Sequence, residues 1–429
     1  MIKNIEVVSK CIDSISFEFY IKNFTEIIPY LHLANNYNKY YFIITNEIEN
    51  DIIQMNRHLI NNFKNPEFDR KNLFLVSSNE KYKDWCFQNN LNFINNKEIP
   101  NFENKYEPSI ISKPKWAFEN HHLFMEYYKD EKIQIIHIEG LEHNWNIIPY
   151  FKNNIYTFIT WPCYFNKNLY EYGVNTLYTL NKVYNKKNII WLSPNLDGIL
   201  WAYEYGYNAI LCNHNSFIDY NKFKITEEKI IYDAVMNCRP ELWKRPYLAE
   251  KVNNLAYIKG ATYGNEELFD YSKLHCKYMN EKIISIDEVI KIYNQSYCGM
   301  IFSESEGACY SSSEYLLCGI PVISTISKGG RDTWYNNKNS IIIDADSIRV
   351  KDAVDLCIKN IQENIFNREE IRNEHIIMSD QMRNNFIEYT QHIFSNHNIL
   401  INAKEYWEKK YVHKMKKNIK TQECIKLLL

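Results

Sequence analysis

Short apolar runs alternate with amphipathic stretches along most of this chain, and this alternation restricts the fold more than any other feature of the sequence. Residues 132–138, 155–160, 188–193, 299–303 and 320–325 have the length and composition of buried strands. The segments between them have the apolar spacing that is typical of helices. Buried strands separated by helices are characteristic of parallel sheets covered on both faces. The sequence therefore predicts an α/β fold.

Two changes of pattern divide the chain. A polar stretch at 213–229 separates two apolar runs, and the pattern becomes helical and charged after Asn367. At about 150 residues per domain, 429 residues are enough for two or three domains. We predict two α/β domains, one over 1–222 and the other over 223–395, followed by a helical segment over 396–429.

The composition excludes several classes of protein. With 45% hydrophobic and 24% charged residues, the chain is neither disordered nor fibrous. Its 50 basic residues are offset by 52 acidic ones, so no overall positive charge favours nucleic acid. No apolar run reaches the roughly 18 residues of a membrane span, and the first residues lack the apolar core of a secretory signal. These features predict a cytoplasmic protein.

The glycines indicate where a binding site should be sought. The chain has only 11 glycines, and none precedes Gly140. Glycine allows backbone angles and close approaches that other residues do not. Five of the 11 fall in one short stretch: Gly299, Gly307, Gly319, Gly329 and Gly330. We therefore expect the chemistry of this protein to lie near that stretch.

The same stretch contains two glutamates, Glu306 and Glu314, at a predicted strand-to-helix junction. The free N–H groups and the positive dipole end of a helix N-terminus favour a phosphate. The two carboxylates, on either side of such a phosphate, can bind hydroxyl groups. A nucleotide sugar has this arrangement of ribose, diphosphate and hexose.

At these residues the sequence resembles the GT-B glycosyltransferases, in particular the retaining enzymes of the glycogen-synthase and mannosyltransferase type (glycosyltransferase group 1, family 4-like). Those enzymes share an E-x7-E motif, a Gly-x-Pro-Val strand and a Gly-Gly loop. The matching residues here are Glu306 with Glu314, residues 319–322, and Gly329 with Gly330. The resemblance implies a GT-B fold, in which two Rossmann-like α/β/α domains face each other across a cleft. It assigns acceptor binding to the Rossmann-like domain over 1–222 and nucleotide-sugar binding to the Rossmann-like domain over 223–395. It also implies that the segment 396–429 packs back on the first domain.

The resemblance also implies roles for individual residues. Glu306 is expected to contact the donor sugar near its anomeric carbon, and Arg239 and Lys244 to hold the diphosphate, which makes these three the catalytic set. Asp332 is the nearest counterpart of the family's glutamate after the Gly-Gly loop. Glu314 is expected to bind the ribose hydroxyls. The complete predicted donor-binding set is Glu314, Gly307, Ala308, Cys309, Tyr310, Gly329 and Gly330.

The N-terminal half gives weaker indications. His137, Glu139 and His143 follow a buried strand and are candidates for acceptor contact, although a plain loop is an equally open interpretation. Their spacing matches no metal-ligand signature, and the 11 cysteines include no C-x-x-C pair, so no metal or other cofactor is expected. Where the family often has a histidine near the donor sugar, this chain has Trp161.

The basic C-terminal stretch at 404–420 alternates lysine with aromatic residues and methionine. One interpretation is a peripheral contact with an anionic membrane at its cytosolic face. The other is a solvated helix that packs on the first domain.

By resemblance, the protein is expected to be a hexosyltransferase-like enzyme of glycan or polysaccharide biosynthesis. It would move a sugar from a nucleoside diphosphate donor to a hydroxyl acceptor, either a glycan or a lipid-linked glycan, with retention and without a metal. Two alternatives stay open. One is a GT-B enzyme of another reaction, such as a nucleotide-sugar epimerase or a phosphorylase. The other is a catalytically silent sugar-binding or scaffold protein.

Overall fold

The computed structural model describes residues 106–161, 166–194, 198–199, 201–202, 205–262 and 267–429, together with the backbone of four strands nearer the N-terminus. Those four strands form one sheet in chain order. The first pair is antiparallel and the others are parallel. Their bounds are β1 Ile5–Val8, β2 Tyr41–Thr45, β3 Leu73–Ser77 and β4 Asn92–Asn95.

A second, six-stranded sheet is built from the middle of the chain and one strand near its end. In sheet order its strands are β18 Lys417–Lys420, β5 His121–Lys129, β6 Gln134–Glu139, β7 Ile155–Thr160, β8 Ile189–Ser193 and β9 Asn208–Leu211. The four strands from β6 to β9 are parallel, and β5 is antiparallel to both of its neighbours. Every residue of β6 is buried, as expected for a parallel strand covered on both faces.

The third sheet has six strands, all parallel. In sheet order they are β12 Cys276–Met279, β11 Leu255–Lys259, β10 Tyr232–Cys238, β13 Ser296–Ile301, β15 Val322–Thr325 and β17 Ser340–Ile343. Two very short strands, β14 Ser305–Glu306 and β16 Lys328–Gly329, pair with each other beside this sheet. Their pairing brings the two glycine-containing loops of the predicted donor motif side by side.

Helices contact both six-stranded sheets, and their starts follow from the local sequence. Asn166 and Ser285 each accept a hydrogen bond at a helix N-terminus, and Ser285 forms a capping box with Glu288. The described helices up to residue 362 are α1 Lys167–Leu180, α2 Ile286–Asn294, α3 Tyr310–Leu317 and α4 Ser347–Gln362.

The C-terminal segment returns to the middle sheet. Its helices are α5 Arg368–Asn396, α6 Ala403–Lys410 and α7 Thr421–Leu428. Helix α5 contacts both α3 and β9, so it touches both six-stranded units. The Arg383 guanidinium on α5 donates to the backbone carbonyls of Ser216 at 2.6 Å and Ile218 at 2.7 Å. After α6, strand β18 extends the middle sheet by pairing with β5.

The α/β class with parallel strands is confirmed, and the two six-stranded sheet units face a common cleft. The segment 1–222 contains strands of two separate sheets, and the third sheet lies wholly within 223–395. The domain boundaries themselves stay predictions. In the part of the chain that the structure describes, no helix combines the length and apolar character needed to cross a membrane.

Candidate functional site

A cleft of about 930 Å³ lies between the two six-stranded sheets, at the carboxyl ends of their strands. Its walls are formed by the end of β6 on one side, by the ends of β10 and β13 on the other, and by the start of α3. In α/β folds, ligands bind outside the carboxyl ends of parallel strands because the connecting loops meet there. The fold therefore places this cleft where a substrate is expected.

The structure brings many of the predicted residues together in this cleft. Those that line it are Arg239, Lys244, Glu306, Cys309, Tyr310, Glu139 and His143. The other predicted site residues are absent from its lining: Glu314, Gly307, Ala308, Gly329, Gly330 and His137. Their predicted roles in binding are not tested by this geometry.

Lys244 and Glu306 form an ion pair at the cleft wall. The exposed fractions of their side chains are only 13% and 6%. Burial disfavours the charged form of Lys244, but the carboxylate of Glu306 outweighs it, and the pKa of Lys244 is raised. The Ser303 hydroxyl also donates to Oε1 of Glu306 at 2.8 Å. Glu306 is thus held by two protein donors, Lys244 and Ser303.

Trp243 lies between the two predicted phosphate-binding cations. Nζ of Lys244 is 4.1 Å and Cζ of Arg239 is 5.4 Å from the centroid of its ring, distances at which cation–π attraction operates. Nε of Arg239 also pairs with the buried carboxylate of Glu241 at 3.2 Å. Trp243 lines the cleft, and the sequence analysis missed it, although an aromatic residue beside Lys244 was a visible signal.

The two glycine loops are packed so closely that a side chain would not fit. The N–H of Gly330 donates to the carbonyl of Gly307 at 2.9 Å. A Cβ on Gly330 would lie 2.5 Å from that carbonyl oxygen and 2.2 Å from Cβ of Pro194. Glycine is therefore required at position 330 by the approach of two backbones.

A turn after β9 fastens the middle sheet to these loops. Nδ2 of Asn213 donates to the carbonyl of Gly330 at 2.8 Å. Nδ2 of Asn215 donates to the carbonyls of Ala308 at 2.8 Å and Cys309 at 2.9 Å. Both asparagines are buried, so these bonds satisfy carbonyls that water does not reach. They fix the loops of the predicted donor motif relative to the opposite unit.

Arg331 also holds these loops in place through hydrogen bonds. Its fully buried guanidinium donates to the carbonyl of Ser303 at 2.7 Å and to Oδ1 of Asp332 at 2.8 Å. Asp332 also accepts a hydrogen bond from the N–H of Ser327 at 2.9 Å. The predicted counterpart of the family's third acidic residue is thus a partner of a buried arginine, and it is absent from the cleft lining.

Glu314 lies on α3, with 8% of its side chain exposed. Its Oε2 accepts a hydrogen bond from the Tyr293 hydroxyl at 3.0 Å. Its Oε1 is 3.2 Å from Nζ of Lys414, which comes from the C-terminal segment. A ribose hydroxyl would have to share or displace these donors in order to bind Glu314.

On the opposite wall, Glu139 ends β6 and forms an ion pair with Lys416. His143 is stacked between Phe118 and Trp161, with ring centroids 4.6 and 4.8 Å away. Trp161 therefore contributes to this wall through its contact with His143.

His137 is buried and takes no part in the cleft lining. Its Nδ1 is 2.6 Å from the carbonyl oxygen of Met415. Burial lowers its pKa to about 4, so the ring is neutral at physiological pH. Its predicted contact with an acceptor would need a movement that the structure does not show.

His214 is a cleft residue that the sequence analysis did not identify. It is 4% exposed, lines the cleft and packs against Tyr310 with ring centroids 5.0 Å apart. Within the described part of the chain, its Nδ1 has no hydrogen-bond partner. Burial and the nearby ammonium groups of Lys416 and Lys414 lower its pKa, so the imidazole is neutral. The place of His214 in the cleft is visible in the fold but not in the sequence.

No cluster of His, Cys, Asp and Glu with the makings of a metal site occurs among the residues that the structure describes. The expectation of metal-independent chemistry stays a prediction.

No protein-family model matches the sequence, and no curated protein matches it. The chain is similar to the solved structure of sucrose-phosphate synthase from Thermosynechococcus elongatus, at 12% identity, over 61% of this chain and 74% of that one, with a TM-score of 0.43. It is similar to HepE from Anabaena in complex with UDP-glucose, at 11% identity, over 82% and 98% of the two chains, with a TM-score of 0.43.

A glycosyltransferase from Rickettsia africae is also similar, at 12% identity, over 74% of this chain and 89% of that one, with a TM-score of 0.39.

Proposed function

We propose that this protein is a glycosyltransferase that moves a sugar from a nucleoside diphosphate donor to a hydroxyl acceptor. One observation carries the proposal: Arg239, Lys244 and Glu306 meet the N-terminus of α3 in a single cleft between the two six-stranded sheets. Two cations and a helix N-terminus suit a diphosphate, and a neighbouring carboxylate suits a sugar.

The ion pair of Lys244 and Glu306 provides a way to couple donor binding to catalysis. Phosphate oxygens that reach Lys244 compete with Glu306 for its ammonium group. Glu306 can then accept a hydrogen bond from a sugar hydroxyl and stabilise the positive charge that develops at the anomeric carbon. Arg239 and Lys244 neutralise the leaving diphosphate, so the reaction as proposed needs no metal.

The transfer itself breaks the bond between the anomeric carbon and the phosphate oxygen. The acceptor oxygen forms the new bond on the face that the diphosphate leaves, which retains the configuration. The acceptor proton passes to the departing phosphate oxygen. The acceptor enters beside Glu139 and His143, because these two line the cleft on the wall opposite the donor motif.

The experiment that tests this function has two stages. Thermal shift with UDP-, GDP-, ADP- and CMP-sugars is expected to reveal one donor that raises the melting temperature, because a ligand of the native state stabilises it. With that donor, release of free nucleoside diphosphate is then measured with and without candidate acceptors. Release that depends on acceptor supports transfer. An isomerised donor indicates an epimerase, sugar phosphate formed from phosphate indicates a phosphorylase, and binding without turnover indicates a silent scaffold.

A second part of the proposal concerns location. Several lysines of the C-terminal segment are exposed, including Lys409, Lys410, Lys417 and Lys420. We propose that they hold the protein at the cytosolic face of an anionic membrane that carries a lipid-linked acceptor. Cosedimentation with phosphatidylserine vesicles, lost at high salt, is the expected result. Equal recovery with neutral vesicles would contradict it.

A further inference from the structure

We propose that Lys416, with His214 and Tyr310, forms a phosphate subsite on the wall of the cleft that faces Arg239 and Lys244. This inference rests on the proposed function, since it assumes that the cleft takes a phosphate-bearing substrate. It assigns to the C-terminal segment a part of the site that the sequence motifs do not contain.

The backbone directs Lys416 into the cleft. Strand β18 pairs with β5 immediately after this residue, and Lys414 and Met415 before it both have positive φ, at 62° and 50°. This sharp turn points Lys414 at Glu314 and leads Lys416 to Glu139. Lys417, the next residue, is exposed. The chain thus places neighbouring lysines in two different environments.

Lys416 has the surroundings of a ligand-binding cation. Only 13% of its side chain is exposed, yet it lines the cleft. Burial disfavours its charged form, but Tyr310 and Glu139 outweigh this effect and raise its pKa, so it stays an ammonium. Its Nζ lies 5.5 Å from the ring centroid of Tyr310.

His214 contributes a buried polar atom that lacks a hydrogen-bond partner within the described residues. This atom is Nδ1, and a buried polar atom without a hydrogen bond lowers stability. The neutral imidazole can donate one N–H to an oxygen anion. Tyr310 packs against the ring, Lys416 is near enough to lower the pKa of His214, and all three residues line the cleft.

The two walls are built alike. Lys416 pairs with Glu139 on one wall as Lys244 pairs with Glu306 on the other, and all four line the cleft. A diphosphate already has Arg239, Lys244 and the start of α3. Lys416 is a third cation in the same cleft, in addition to these groups. It is therefore available for a further phosphate oxygen. That phosphate belongs either to the far side of the donor diphosphate or to the acceptor.

The main test compares Lys416→Met with Lys417→Met, which removes the same charge from an exposed neighbour. Binding of UDP is measured by calorimetry. Inorganic phosphate is then titrated into the UDP-saturated protein and followed by ³¹P NMR. Lys416→Met is expected to weaken one of the two ligands about ten- to a hundred-fold, as the loss of a charge-assisted hydrogen bond predicts, and Lys417→Met neither. The affected ligand identifies the source of the phosphate. Unchanged binding of both by Lys416→Met would overturn the proposal.

A second pair of variants separates binding from a purely structural ion pair. If Lys416 served only as the partner of Glu139, then Glu139→Gln and Lys416→Met would both lower the melting temperature and leave phosphate binding alone. If Lys416 binds phosphate, Lys416→Met weakens phosphate binding, whereas Glu139→Gln frees the ammonium group and phosphate affinity increases. Lys416→Arg keeps the charge and is expected to retain most of the binding.

Failure of this inference and failure of the proposed function give different results. Lys244→Met serves as the reference for the donor site. If wild type binds UDP, Lys244→Met weakens it and Lys416→Met changes neither ligand, the subsite is wrong and the proposed function stands. If wild type binds none of UDP, GDP, ADP or CMP, both are wrong.

Discussion

The two walls of the cleft are similar in chemistry but different in how the chain builds them. On the C-terminal wall, Lys244 and Glu306 are 62 residues apart and belong to one sheet unit. On the opposite wall, Glu139 and Lys416 are 277 residues apart, and the lysine comes from a separate segment at the end of the chain. The same arrangement of charges is thus built within one sheet unit on one side and by the return of the C-terminal segment on the other. The family motifs include Lys244 and Glu306, but they do not include Lys416.

The largest effect is expected for Lys244→Ala on the C-terminal wall. It removes a diphosphate cation, and kcat is expected to fall by about 10²–10³. It also leaves the buried Glu306 without its partner, which costs about 3–5 kcal/mol of unfolding free energy. The double variant Lys244→Ala/Glu306→Gln should regain most of the stability but none of the activity. Full activity of the single variant in a turnover assay would make Lys244 structural.

Glu314→Gln tests whether Glu314 binds the ribose of the donor nucleotide. UDP affinity is expected to fall by roughly one to two orders of magnitude, because a charge-assisted hydrogen bond is worth about 1.5–3 kcal/mol. Pyrophosphate affinity should not change, since pyrophosphate has no ribose. Calorimetry with both ligands measures the difference. An equal loss for both would mean that Glu314 acts by positioning α3 through Tyr293 and Lys414.

Asn215→Ala tests the link between the walls. It removes two hydrogen bonds and leaves the carbonyls of Ala308 and Cys309 unsatisfied, so unfolding free energy should fall by about 1–3 kcal/mol. Because these carbonyls belong to the predicted donor loop, KM for the donor should rise several-fold. Asn208→Ala is the control, since Nδ2 of Asn208 also donates to a carbonyl, that of Lys187, at 2.6 Å. A rise in KM for the control alone would contradict the assignment.

The remaining predictions concern the pH dependence of stability and buried groups outside the cleft lining. Burial raises the pKa of Glu142 to about 8, well above its unfolded value near 4.5. The folded protein therefore holds a proton that the unfolded chain releases, so this group lowers stability as pH rises from about 4.5 to 8. Glu142→Gln should raise the melting temperature more at pH 8 than at pH 5. A shift that is the same at both would show that Glu142 is ionised in the fold.

The buried histidines make the folding stability depend on pH with the opposite sign. Burial lowers the pKa of His137 to about 4 and that of His375 to about 3, whereas an unfolded histidine titrates near 6.5. The unfolded chain binds more protons below pH 6.5, so these residues remove stability as pH falls from about 6.5 to 4. The slope approaches 1.4 kcal/mol per pH unit for each histidine. His375→Phe should reduce the slope in urea unfolding between pH 6.5 and 4.

Much of the fold was predictable because the parallel strands are continuous apolar runs and their helices have ordinary spacing. Arg239, Lys244 and Glu306 were predicted because they match the family's motifs, and the structure brings all three to one cleft, while their roles stay predictions. Lys416 and His214 were not, since nothing in their neighbouring residues distinguishes them from a solvated tail or a plain turn. Their positions depend on the pairing of β18 with β5 and on the contacts of α5, which sequence spacing alone does not describe.

The pairing of β18 with β5 has a consequence for the order of folding during synthesis. Residues 121–129 leave the ribosome almost 300 residues before their edge partner at 417–420. Until then, β5 presents unpaired N–H and C=O groups that can recruit a foreign strand. Contacts of such long sequence separation form slowly. A nascent chain is therefore most exposed to misassembly during this interval, and the wall that contains Lys416 is the last part of the cleft to be completed.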